Sequence, residues 1–139
     1  MWFSSSVDIL APADLVWSTL IDVERWPGWT SSMSKVTLLG PAPLAVGSRV
    51  KIKQPRLPSA VWTVDQLTPG SFFSWINYSV GLTSFADHRM STSDTGTQVV
   101  LSIRQSGALA PLLSLVAGNL TRTYVRTEAA GLKHHCESA

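Results

Sequence analysis

A second cysteine is missing: with Cys136 alone among 139 residues, no disulfide forms within the chain and a small cross-linked scaffold is excluded. Charge is sparse, at 14% of residues with a formal net charge of +2, and no window gathers the cations into a stripe for nucleic acid. The one local group, Arg49, Lys51 and Lys53 with Arg56 close behind, alternates along a strand and reads as a solvated outer face. Long apolar runs are absent too. The most apolar stretch, Ala108–Gly118, contains Pro111 and falls short of the about 20 residues that a membrane-spanning helix needs. Residues Met1 to Ser6 lack the cationic start and apolar core of a secretory signal, so a cytoplasmic location is the expectation. There is no phosphate-binding loop, no Gly-x-Ser-x-Gly turn and no paired-carboxylate arrangement, and no cofactor is expected. His134-His135-Cys136 sets three metal-capable side chains in a row. Adjacent helical positions diverge by about 100°, so no metal is assigned and the segment reads as a frayed tail.

What the chain does have is apolar material for one core: 45% hydrophobic residues and six tryptophans, enough for a single domain over residues 1–139. Phe3, Val7 and Ile9 share one parity and predict a half-buried first strand. Pro12 suits the first turn of a helix, and Leu15, Val16, Leu20 and Val23 recur at helical spacing. Pro27-Gly28 stops that pattern, so two short helices with a break near residues 22–25 are predicted before Ser32. From Met33 to Gln105 the period is two, with strands predicted over 33–39, 48–54, 59–67, 71–79, 82–93 and 97–105 between Gly- and Pro-bearing turns. After Gly107, Leu109, Leu112, Leu113, Val116, Leu120 and Tyr124 fall on one stripe of a long helix ending near Lys133. One antiparallel sheet must cover its apolar face, and the last helix is the only large element available. A seven-stranded sheet curling around that helix leaves an internal cavity where helical side chains do not reach across.

The order of motifs resembles one superfamily. Val16-Trp17-x-x-Leu20-x-Asp22-x-x-x-Trp26-Pro27-x-Trp29 after an N-terminal strand is similar to the opening of START-like (SRPBCC, Bet v 1-like) proteins, in particular their polyketide cyclase/dehydrase branch. Gly47-Ser48-Arg49-Val50, Asp94-Thr95-Gly96-Thr97 and Leu132-Lys133 fit the same pattern. The resemblance covers almost the whole chain and implies an α+β helix-grip fold: a curved seven-stranded antiparallel sheet around a long C-terminal helix, with two short helices after strand 1. It also implies a deep apolar cavity for lipid- or polyketide-like molecules. It implies no particular reaction, because such folds serve carriers, receptors, cyclases and co-chaperones alike.

Strand parity nominates the cavity residues. Trp62 shares a side with Val64. Along 71–79, Phe73, Trp75 and Asn77 are taken as inward, although the opposite set also holds apolar groups. Leu101 points in with Val99 and Ile103. Along 82–93, His88 faces the cavity with Met90, which turns Asp87 and Arg89 to solvent and rules out the Asp-His-Arg run as a catalytic trio. His88 is then the one candidate acid or base, with an ordinary pKa near 6.5; the alternative is a satisfied core histidine or one that only orients a ligand. The last helix contributes Leu113, Val116, Leu120 and Tyr124, the Tyr124 hydroxyl serving either a ligand or a backbone carbonyl. Among the early tryptophans, Trp29 is placed at the pocket mouth. The primary expectation is a carrier or sensor of a small hydrophobic molecule, as monomer or homodimer. The alternatives are a cyclase or dehydratase in which His88, with Tyr124 or Asn77, moves protons, and a protein-interaction module using the outer sheet face.

Overall fold

The alternation at the N-terminus forms β1 (Trp2–Ile9), and Pro12, whose missing N–H falls where no helical partner exists, precedes α1 (Ala13–Ile21). The computed structural model describes all 139 residues. A 3₁₀ helix over Val23–Gly28 follows the break at Asp22 and brings in Trp26, whose indole Nε1 donates to the Leu20 carbonyl at 3.0 Å. Then come β2 (Lys35–Leu38), β3 (Arg49–Lys53), β4 (Ala60–Thr68), β5 (Phe72–Ser79), β6 (Leu82–Ser93), β7 (Gly96–Ser106) and α2 (Ala110–Glu137).

The strands form one seven-stranded sheet in the order β1-β7-β6-β5-β4-β3-β2, with every neighbouring pair antiparallel. Short turns make each strand pair with its successor, and only β1 crosses the sheet to close on β7. In β4 the register slips between Val64 and Gln66, leaving Asp65 as an extra residue. This bulge adds local twist, and the Asp65 carboxylate accepts the Ser74 hydroxyl at 2.5 Å. Val64, Phe73, Trp75, Val99 and Leu101 are buried on the concave side with Val16, Leu20 and Trp26. The architecture is the α+β helix grip: a curved sheet wrapped around a long C-terminal helix.

α2 corrects two readings of the sequence. The tail does not fray: the helix runs to Glu137 and buries Cys136. It is fastened to the end of β1, because the Lys133 ammonium donates to the Asp8 carbonyl at 2.5 Å and the Glu137 carboxylate accepts the Leu10 N–H at 2.9 Å. The inward stripe is also not the leucine stripe. Val125, Ala129, Leu132 and Cys136 are buried at helical spacing, and their rotation carries back to Thr121, Gly118, Ser114 and Ala110. Leu112, Leu115 and Val116 are therefore left exposed. No helix is long and apolar enough to cross a membrane.

The helix backbone runs against the Trp29–Thr30 backbone at Gly131. A Cβ there would lie 2.1 Å from the Trp29 carbonyl oxygen and 3.4 Å from the Thr30 Cα. By helix propensity alone, Gly131→Ala would stabilise α2 by about 1 kcal/mol. The fold predicts the opposite, a loss of about 2 kcal/mol or more from forced separation of two backbones. Urea unfolding of the variant checks the sign; a gain in stability would contradict this packing.

Candidate functional site

Between the concave sheet and α2 lies a cavity of about 640 Å³. Its wall is tiered by strand register. The tier nearest the β5–β6 turn is polar, with Asn77, Ser84 and Gln105 side by side on β5, β6 and β7. Next comes an apolar band of Trp75, Ala86 and Ile103, and below it lies His88 beside Leu101. Four residues separate Ser84 from His88, about 13 Å at strand rise. The β3–β4 loop overhangs one side with Leu57, Pro58 and Ser59. That loop is held in place: the Lys53 ammonium donates to the Gln54 and Leu57 carbonyls, the Gln54 amide to the Ser32 carbonyl at 3.2 Å, and the Tyr124 hydroxyl to the Pro55 carbonyl.

Of the residues nominated from sequence, Trp62, Trp75, Asn77, His88 and Leu101 line this space from the sheet, and Leu113 and Tyr124 line it from α2. The Tyr124 hydroxyl is committed to the loop carbonyl, so the residue acts there as a strut. The Asn77 amide likewise donates to the Val61 carbonyl at 2.8 Å, bridging β4 and β5 beyond their last paired residues, Thr63 and Ile76. The other nominated residues do not border the cavity. Phe73 and Met90 are buried in the core beyond its floor. Trp29 packs on Trp26, with ring centroids 5.4 Å apart. Val116 is 77% exposed and Leu120 is half-buried outside the cavity wall, both because α2 is rotated by its well-packed C-terminal half.

The residue that sequence reasoning missed is Glu128. It lies four positions after Tyr124 on the cavity side of α2, buried, with its Oε1 lacking any hydrogen-bond partner. His88 Nε2 stands 3.9 Å from that oxygen, beyond hydrogen-bond range. His88 Nδ1 lies 3.2 Å from the Phe73 carbonyl. A carbonyl only accepts, so Nδ1 carries the proton and Nε2 presents a lone pair to the cavity. Aromatic rings enclose the imidazole: Phe73 stacks on it at 4.2 Å, with Trp75 at 5.2 Å and Trp26 at 5.5 Å edge-on. Burial in this shell pushes the His88 pKa down to about 4, against a small opposing effect of the Phe73 carbonyl. Burial pushes the Glu128 carboxyl up to about 8. Both groups are consequently neutral at pH 7, the carboxyl as a donor and the imidazole nitrogen as an acceptor. The Asp87 carboxylate is on the outer face, paired with Arg89 at 2.7 Å. No group of three or more His, Cys, Asp or Glu side chains is placed to hold a metal.

A curved sheet gripping one long helix over a cavity that is apolar at its middle is the helix-grip architecture. The family described as polyketide cyclase/dehydrase and lipid transport matches residues 2–137, and the chain belongs to it. Among solved structures, a hypothetical protein of Helicobacter pylori is 14% identical with a TM-score of 0.81, over 98% of this chain and 88% of that one. A START superfamily protein of Mycobacterium smegmatis is 14% identical with a TM-score of 0.77, over 99% and 97%. The di-domain ARO/CYC StfQ from the steffimycin biosynthetic pathway is 9% identical with a TM-score of 0.76, over 99% of this chain and 50% of that one. These identities show the fold alone. No curated protein matches the chain.

The two shifted groups give stability a defined pH profile. Between about 4.5 and 8 the native state keeps a proton on Glu128 that the unfolded chain has lost, so this contribution falls as pH rises. Between about 4 and 6.5 the unfolded chain keeps a proton on His88 that the native state lacks, so this contribution grows with pH. The two offset each other from about pH 4.5 to 6.5. From pH 6.5 to 8 Glu128 acts alone, and stability declines by up to about 1.4 kcal/mol per pH unit. Urea unfolding of the wild type and of Glu128→Gln between pH 6 and 8 checks this. The difference between the two proteins follows the decline; parallel curves would contradict the buried neutral carboxyl.

Proposed function

We propose that this protein binds a small hydrophobic molecule, lipid- or polyketide-like, inside the grip and acts as its carrier or sensor. The observation that carries the reading is the cavity itself: about 640 Å³ lies within the usual range of small-molecule sites, and its middle is walled by Trp62, Trp75, Ala86, Leu101 and Ile103. A hydrophobic ligand there gains free energy in proportion to the apolar area it removes from water, with Trp62 and Trp75 supplying much of the contact surface. Membership of a family whose description includes lipid transport supports the same reading. A second reading, a cyclase- or dehydratase-type enzyme, is favoured by one observation: a protonated carboxyl and a lone-pair-bearing imidazole meet at the cavity wall, as an acid and a base do in catalytic sites.

The neutral fluorophore N-phenyl-1-naphthylamine tests binding directly. It is expected to bind the wild type near one equivalent and to quench tryptophan emission, since Trp62 and Trp75 line the space. Ala86→Phe projects a ring into the apolar band, and affinity is expected to fall by about tenfold or more while a single cooperative unfolding transition is kept. Unchanged uptake by folded Ala86→Phe would place the dye elsewhere and contradict the reading.

A further inference from the structure

The cavity is apolar along most of its depth, yet on the α2 side of the His88 tier it carries Glu128 Oε1, buried without a hydrogen-bond partner, and 3.9 Å from it His88 Nε2, whose ring bonds the chain only through Nδ1. Buried polar groups are rarely left without partners, because each costs the desolvation it cannot recover. The pair is too far apart to satisfy itself. Elsewhere on the wall the Tyr124 hydroxyl is on Pro55, the Asn77 amide on Val61 and the Gln105 amide N–H on the Ser84 hydroxyl; Gln105 Oε1, two tiers away beside Ser84, and Asp87 Oδ1, on the outer face, are the other buried oxygens without a partner. Given the cavity-binding reading above, we propose that His88 and Glu128 form a recognition site for a neutral hydroxyl group carried at the leading end of the hydrophobic ligand.

The geometry and polarity of the pair fit one functional group best. An oxygen at about 2.8 Å from both atoms bridges a gap of this width. A hydroxyl donates its hydrogen to the Nε2 lone pair and accepts the carboxyl proton on the same oxygen, so both protein groups are satisfied at once. The histidine tautomer that this needs is the one fixed by the Phe73 carbonyl. A carbonyl or ether oxygen accepts from Glu128 but leaves Nε2 empty, and an unsubstituted hydrocarbon leaves both empty. A carboxylate fares worst, because the histidine is neutral and no lysine or arginine side chain reaches the pair to compensate a buried anion. Sites built to hydrogen-bond a hydroxyl discriminate strongly against analogues that lack one. The same chemistry serves an aliphatic alcohol and a phenol.

Displacement of N-phenyl-1-naphthylamine by 2-naphthol, naphthalene and 2-naphthoate at pH 6 tests the proposal with one ring system and three end groups. The wild type is expected to bind 2-naphthol about tenfold or more tightly than either of the others. Glu128→Met and His88→Leu each bring that preference below about threefold while affinity for naphthalene stays within twofold, since neither narrows the cavity. Glu128→Gln, which retains an N–H donor at the same place, keeps most of the preference and separates recognition from a merely structural role. Equal affinity of the wild type for 2-naphthol and naphthalene, or a preference surviving in Glu128→Met and His88→Leu, overturns the hydroxyl site but leaves the cavity reading intact. Failure of the wild type to bind naphthalene and the fluorophore at all overturns both.

Discussion

The seating of α2 on the sheet is the constraint from which the rest of the structure follows. At its C-terminal half the helix is pressed in by Leu132 and Cys136, touches the Trp29 backbone at Gly131, and is fastened to β1 through Lys133 and Glu137. Rotation and depth are fixed there. The N-terminal half inherits that rotation, which leaves Leu112, Leu115 and Val116 exposed and sets Leu113, Thr121 and Tyr124 along the cavity. These side chains do not fill the space to the far wall, and the bulge at Asp65 twists the sheet further. The cavity is the space left where one rigid helix meets a surface of different curvature.

That seating also determines the chemistry. Glu128 lies at the junction of the tight and loose halves of α2, close enough to the core to be dehydrated and close enough to the cavity to face it. Across the gap, the register of β5 and β6 sets His88 opposite Phe73, so that one ring nitrogen is occupied by a backbone carbonyl and the other is not. Dehydration of both residues moves their pKa values in opposite directions, one down to about 4 and one up to about 8. A pair that would be an ion pair in water is a neutral donor and acceptor here. Such a site costs stability relative to an apolar wall, and that cost fits a ligand-facing role better than a structural one.

Much of the fold was legible in the sequence, because the information lies in local periodicity. Period-two alternation with Gly and Pro punctuation marked every strand to within about two residues, and Pro12 and Pro27-Gly28 bracketed the short helices. The site was legible only where parity decides it, as for Trp62, Trp75, His88 and Leu101. It was illegible along α2. A run such as Leu109, Leu112, Leu113, Val116 and Leu120 gives a strong apolar stripe, and nothing local shows that packing some twenty residues later leaves Leu109, Leu112 and Val116 exposed. Glu128 is hidden for a related reason: charged residues on helices generally face water, and its burial follows from how α2 seats on the sheet, which no local pattern encodes. Phe73 and Met90 had the correct facing but sit beyond the cavity floor, a distinction of depth that alternation does not encode.

Native mass spectrometry of the protein purified gently from its own host, followed by denaturation and identification of any released compound, reads directly what the cavity holds. The expected result is a stoichiometric hydrophobic molecule bearing a neutral hydroxyl, lost when the protein unfolds. A bare protein mass that stays bare after incubation with 2-naphthol would contradict it.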